Sequence, residues 1–473
     1  MIQRVIAMAI GIPLLLAGCS SLEHVKEVKG EREGIKSDVN LQVRKFVYDN
    51  GLKLLVVENH KLPIFSYYTL FDVGGRYESR EDKTTGATHF LEHMMFKGAK
   101  KYGPGKFDSF IENNGGSTNA YTNFDSTVYY ENMPSHTLDT IVDMEADRMG
   151  NLLLEPGPFE SERQVVLEER RYRYENSPGG KLYLAMMQNV FEGTPYGGSV
   201  IGDAKDVKNL SRDQMMQFFH KFYRPDNAII VVAGDVDAQD VAAMVSKRYG
   251  TLPSTTQEVK EFKEKMNAPA RFAHRGRYKR EVKLHAQNPN PQFMKAYEGE
   301  AIGTRRSFVM DILSSVLGDG ASSYLNQKYV KSSKPVLSSI SAGNYTLQNN
   351  GVFYISGELL DGKSLSRFKR MLARDTKKMC TEAINERSLQ KTKNQYLVGY
   401  MSQIDTNAGM AHFIGLREKF YGDYSFYKKE MEIYKSITVE ELTKTCEEVF
   451  KGDKNIFLSV WNKNPQPKVG GKK

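Results

Sequence analysis

The chain has 473 residues, 40% hydrophobic and 26% charged. That is an ordinary globular balance with room for two domains of roughly 200 residues each. The formal net charge of +9 is spread along the sequence without a basic-aromatic cluster, which argues against nucleic-acid binding.

The N-terminus carries Arg4 and then an apolar stretch from Val5 to Gly18, interrupted by Pro13. It is short for a bilayer span and has the form of a signal peptide, residues 1–18. It ends in Leu16-Ala17-Gly18-Cys19, which resembles a bacterial lipobox. Cleavage before Cys19 would leave 473 − 18 = 455 residues with a lipid anchor on Cys19. Ser20 follows, where an aspartate would favour inner-membrane retention, so the expected location is the outer membrane, facing the periplasm. Residues 19–41 then form a tether.

A first domain is expected over 42–253. It opens with a strand from Leu52 to Glu58 and proceeds to a helix over 84–97. At about 100° per residue, Ala87, Phe90, Leu91, Met94 and Met95 share one arc of that helix, and His89, Glu92 and His93 share the opposite one. Only Phe96 breaks the separation, and Gly98 is a natural stop. Two imidazoles at i and i+4 can reach one cation, and Glu92 stands beside them without being forced to ligate. Zn2+, one per chain, suits imidazole and carboxylate ligands with a fourth position left to water. Glu92 would act as general base toward that water.

A third ligand is needed. In the helix over Phe159–Arg171, Glu162, Val165, Val166 and Glu169 fall on one face at i, i+3, i+4 and i+7. A carboxylate on the face that carries the valines points inward and needs a partner, which favours Glu169 over Glu168. Glu162, two turns earlier, could orient the site from behind the ligands.

These residues identify a resemblance. His89-Phe90-Leu91-Glu92-His93, the 75 residues between His93 and Glu169, and Asn114-Gly115-Gly116-Ser117-Thr118-Asn119-Ala120-Tyr121-Thr122 together resemble the pitrilysin-type zinc peptidases, the inverted zincins. The short-chain group that includes mitochondrial processing peptidase is the nearest in kind. The resemblance spans about residues 42–460. It implies His89, His93 and Glu169 as zinc ligands, Glu92 as base and Glu162 as the family's second acid. It also implies a strand at Asn119 and Ala120 that receives the substrate backbone.

The remainder reads as a repeat. Leu210–Asp235 and Ile437–Trp461 each open with a capping box, Ser211 with Gln214 and Thr438 with Glu441. Each continues as a helix and ends in an apolar strand, Ala228–Val232 or Ile456–Val460. The expected fold is therefore α+β: two homologous domains, each an antiparallel-rich sheet packed on helices, forming half of a clam-like chamber. Residues 254–284 read as a linker, 285–465 as the second domain and 466–473 as a disordered tail. This second half has no His-x-x-Glu-His. Where relatives carry Ser-Ser-Arg-Leu it has Ser322-Ser323-Tyr324-Leu325. The positions of the family's substrate-contacting arginine and tyrosine fall loosely at Val330 and Leu337. Gly318-Asp319-Gly320 reads as a plain loop, and Cys380 and Cys446 could form a disulfide or stay as buried thiols.

The expected activity is that of a zinc metalloendopeptidase acting on peptides or unfolded segments. The family's chamber needs four such domains, so a homologous zinc-less partner subunit is expected, or a second copy of this chain. The alternative is a non-catalytic scaffold or assembly lipoprotein on the same fold.

Overall fold

The computed structural model describes residues 25–28, 41–271, 281–288, 290–361 and 364–462. The signal sequence, Cys19 and the tail lie outside the described residues. In the first half the strands are β1 (Val25–Val28), β2 (Arg44–Tyr48), β3 (Lys53–Glu58), β4 (Ile64–Phe71), β5 (Ser117–Thr122), β6 (Thr127–Pro134) and β7 (Ala228–Gly234). Its helices are α1 (Ala87–Met94), α2 (Lys106–Asn113), α3 (Leu138–Gly150), α4 (Pro156–Arg170), α5 (Pro178–Val190), α6 (Ala204–Asn209), α7 (Arg212–Phe222), α8 (Ala238–Tyr249) and α9 (Gln257–Asn267). The second half contains β8 (Glu281–His285), β9 (Gln292–Glu298), β10 (Leu337–Thr346), β11 (Gly351–Leu359) and β12 (Asn455–Trp461). Its helices are α10 (Arg305–Gly318), α11 (Tyr324–Tyr329), α12 (Leu365–Asp375), α13 (Met379–Ala383), α14 (Glu386–Gln403), α15 (Asn407–Tyr421), α16 (Tyr427–Ser436) and α17 (Val439–Lys451).

The expected α+β architecture of two homologous halves is present. The first sheet runs β5-β6-β4-β7-β3-β2-β1 and the second β10-β11-β9-β12-β8. Strand for strand, β5-β6-β4-β7-β3 corresponds to β10-β11-β9-β12-β8. In each sheet the final pair is parallel, β3 with β7 and β8 with β12, while the other shared pairs are antiparallel. The repeat read at Ser211 and Thr438 is thus the α7–β7 and α17–β12 unit of each half. Ser211 and Gln214 form the full reciprocal box. At the second copy only the Thr438 half forms, because the Glu441 carboxylate turns to Arg305 at 2.9 and 2.7 Å. That ion pair is the stronger use of the acid.

Each half lends a helix to the other. On one face of the first sheet, Leu55, Val57, Leu70 and Val231 pack against Met410, Phe413 and Ile414 of α15. Reciprocally, Leu182, Met186 and Val190 of α5 cover Ala296, Val352 and Leu458 of the second sheet. Residues on the opposite pleat, Leu54, Val56, Ile230 and Val232, face the other core. This is why the central strands read as continuous apolar runs instead of alternating. Gly415 allows the close approach of α15: a Cβ there would meet Leu70 Cδ1 at 2.9 Å and Val231 Cγ2 at 3.1 Å. Each sheet is therefore covered on one face by a helix from the other half of the sequence.

Other boundaries also shift. The stretch read as a linker holds α9, whose Val259 and Met266 are buried in the first core, and its end forms strand β8. Three apolar residues at Val259, Phe262 and Met266 are enough to dock a short helix. Within the stretch read as a tether, Val25–Val28 pairs with β2, and the Arg44 guanidinium bridges both Glu27 carboxylate oxygens at 3.1 Å. Gly318-Asp319-Gly320 closes α10 in a turn, with Gly320 at φ +73°. Cys380 and Cys446 are bonded, Cα atoms 5.7 Å apart, tying α13 to α17.

An ion cluster joins the halves. Asp72 meets Lys263 at 2.7 Å and Lys419 of α15 at 2.9 Å. The fully buried Arg76 guanidinium donates to Asn349 at 2.6 Å and Gln348 at 3.0 Å, in the β10–β11 turn.

Candidate active site

Helix α1 begins at Ala87 and ends at Met94, shorter than the expected 84–97. Gly86, at φ +89°, turns the chain into it, and Gly98, at φ +113°, closes the turn that follows. The half-buried Glu78 carboxylate accepts the backbone N–H groups of Gly86 and Thr88 at 2.7 and 2.8 Å, satisfying donors at the helix start. The apolar arc is buried as expected: Ala87, Phe90, Leu91, Met94 and Met95 are each no more than 3% exposed. That arc aims His89, Glu92 and His93 into a cavity of about 590 Å³ shared with α4 and β5.

The structure brings the three candidate ligands together. One ligand atom each from His89, His93 and Glu169 lies within 4.8 Å of the others. His93 Nε2 is 3.3 Å from Glu169 Oε2, and His89 Nε2 is 3.5 Å from the same oxygen. Yet Glu169 Oε2 is buried without a hydrogen bond. Three donors converging on one point around an unsatisfied carboxylate oxygen fit a cation, and two imidazoles with one carboxylate fit Zn2+. Glu168 projects away and is exposed.

The surroundings hold these groups in place. His93 Nδ1 is 2.8 Å from Glu162 Oε1, so Glu162 fixes the ring and leaves Nε2 toward the ligand centre. Lys97 holds the other Glu162 oxygen at 2.8 Å, and Arg173 holds Glu169 Oε1 at 2.8 Å. Glu92 accepts a hydrogen bond from the Thr122 hydroxyl. Burial, with His93 beside it, pushes His89 down to about 3, which keeps it neutral. Burial opposes charge on His93 as well, but its hydrogen bond to Glu162 and the facing Glu169 carboxylate prevail and raise it to about 9. Burial raises the Glu92 carboxyl, against the Thr122 bond. Burial also works against the charge on Glu169, but His93, His89 and Arg173 hold it below the usual range.

Strand β5 is an edge of the sheet. The backbone N–H of Ala120 donates to the Asn119 side chain at 2.8 Å instead of to a neighbouring strand, so it points off the free edge. The outer face of β5 is supported from the second half: Tyr121 Oη lies 2.7 Å from His412 Nε2 of α15. Val165 departs from its expected place. It is 48% exposed and lines the cavity, while Val166 takes the core position. Thr122, Arg173, Lys97 and His412 were not singled out from the sequence. Only Arg173, four residues after Glu169, carried a local signal. In the second half Val330 closes α11, and Leu337, 1% exposed, belongs to the core. No arginine–tyrosine pair stands at those positions.

Residues 55–204 match the description Insulinase (Peptidase family M16), and residues 209–396 match Peptidase M16 inactive domain. Zinc protease PqqE of Helicobacter pylori is 29% identical over 419 residues, covering 86% of this chain and 91% of that protein. A probable mitochondrial-processing peptidase subunit beta of Arabidopsis thaliana is 25% identical, covering 80% of this chain and 71% of that one. Among solved structures, a protease from Helicobacter pylori superposes with a TM-score of 0.79 at 25% identity, covering 89% of this chain and all (100%) of the other. The topology, the converging ligand set and these likenesses agree, and the chain belongs to the M16 family of pitrilysin-type zinc peptidases.

Proposed function

We propose that this chain is the zinc-bearing subunit of an endopeptidase that cleaves peptides or unfolded segments. The observation that carries this is the convergence of His89, His93 and Glu169 around an unsatisfied buried oxygen, with Glu92 beside them. These three side chains would hold one Zn2+, which when bound supplies a Lewis acid and acidifies a water. Glu92 takes the proton of the attacking water and returns it to the leaving amine; its raised proton affinity suits both directions. Thr122 keeps Glu92 beside the reacting bond, and Glu162 orients His93. The free edge of β5 at Asn119 and Ala120 aligns the substrate backbone as an added strand. The expected result for Glu92→Gln is retained zinc and a 10²- to 10⁴-fold loss of peptide cleavage, of the order general acid–base catalysis supplies. Undiminished turnover in that variant contradicts the role.

The second half, matched by the inactive-domain description and without a ligand set among its described residues, favours a partner that completes the chamber. We assign that partner as a homologous zinc-less subunit, as the subunit names of several relatives suggest. The lipobox at Cys19 and the disulfide support a lipid-anchored location on the periplasmic side of the outer membrane. Detergent extraction of the native envelope should recover the chain with a related subunit. Recovery from the soluble fraction as an active homodimer contradicts both assignments. The scaffold reading predicts a chain that holds no zinc after gentle purification.

A further inference from the structure

The second half holds a cavity of about 480 Å³ between α10, α14 and α16. By the correspondence of the two sheets, it stands where the first half has its ligand cavity. It lies beside α10, the first helix after β9, as the other lies beside α1, the first after β4. Thr346 closes β10 at its rim as Thr122 closes β5. No histidine lines it. Instead Tyr396, Tyr400, Tyr421 and Tyr434 surround Asp311. The Tyr434 ring lies 4.8 Å from that of Tyr396 and 6.4 Å from that of Tyr400.

The charges at this cavity do not balance. Glu430 and Arg417 satisfy each other at 2.7 Å. Asp311 accepts only neutral donors, Asn344 Nδ2 at 2.8 Å and Tyr434 Oη at 2.9 Å. Among the described residues no cation reaches it. Burial accordingly pushes Asp311 up to about 6, against those two hydrogen bonds. Asp319 at the same cavity adds charge of the same sign. A carboxylate without a counter-charge, in a cavity lined by tyrosines, offers a cation an ion pair and tyrosine rings for cation–π contact, although the Tyr400 ring already has the Arg417 guanidinium 5.2 Å from its centre.

We propose that this cavity, left by the absence of a zinc set in the second half, binds an alkylammonium group: a lysine side chain or the amino terminus of a peptide. It is independent of the peptidase reading, because Glu92 and the candidate zinc ligands take no part. The test is calorimetric titration of the full-length holoprotein with three probes. Nα-acetyl-lysine methylamide carries a side-chain ammonium, norleucine methylamide carries only an α-ammonium, and Nα-acetyl-norleucine methylamide carries neither. One or both cationic probes should bind, identifying the source, and the uncharged probe should not. Asp311→Asn and Tyr396→Leu should each weaken binding at least tenfold, while Glu92→Gln leaves it unchanged. If Asp311→Asn does not fold, Tyr396→Leu decides. Equal binding of the uncharged probe, no binding of either cation, or wild-type binding by the folded variants overturns the proposal.

Discussion

Glu162 shows how much a residue outside the ligand set can matter. Its Oε1, 2.8 Å from His93 Nδ1, leaves Nε2 of the ring toward Glu169 and the candidate ligand centre, and Lys97 keeps the carboxylate in place. Glu162→Ala should therefore lower zinc affinity about 10- to 100-fold, the usual cost of losing such a support. Competition with a fluorescent chelator measures it, and unchanged affinity would show that the contact is incidental. The sharing of one helix face by His89, Glu92 and His93, and of another by Glu162 and Glu169, was legible in the sequence because helical period fixes which side chains share a face; that the two helices meet was implied only by the resemblance. Thr122 was not legible, although it lies in a quoted motif. Its bond to Glu92 joins strand to helix across a separation of 30 residues, which no local pattern encodes. Val165 was misplaced because period gives a face, not whether that face meets protein or an open cavity.

At the scale of elements, the long amphipathic and apolar segments were legible, and the short or exchanged ones were not. Strands β3, β7 and β12 lie within about a residue or two of their expected positions, since short apolar runs rich in β-branched and aromatic residues have few alternatives. Helix α9 was hidden by its charged composition; its three apolar residues pack on a core built from distant parts of the first half. The second capping box formed by half because a distant arginine competed for Glu441. The disulfide stood open in the sequence because spacing does not give a separation in space, and the packing of α13 on α17 settles it.

For the whole molecule, the duplication was visible in one repeated helix–strand unit, but the order of strands and the exchange of α5 and α15 were not. Both helices have mixed faces that the sequence offers equally to either sheet. The exchange makes the halves one body and brings Lys419 of α15 to Asp72. Burial disfavours the Asp72 charge, yet Lys419, Lys263 and Arg76 outweigh it and hold the carboxyl well below its usual range. A depressed folded value stabilises the chain above the unfolded value of about 3.9 and is lost as pH falls below it. Asp72→Asn should cost about 2 kcal/mol at pH 7, less than for a fully buried pair because the side chain is 34% exposed. The difference from the natural chain should shrink as denaturation is followed below about pH 3.9; a difference constant with pH contradicts the assignment. The most direct test of the central claim is zinc content by mass spectrometry for the natural chain, Glu169→Gln and Glu168→Gln. The natural protein and Glu168→Gln should each hold one zinc per chain, and Glu169→Gln should lose most of it. Equal zinc in all three, or none in the natural chain after gentle purification, would contradict it.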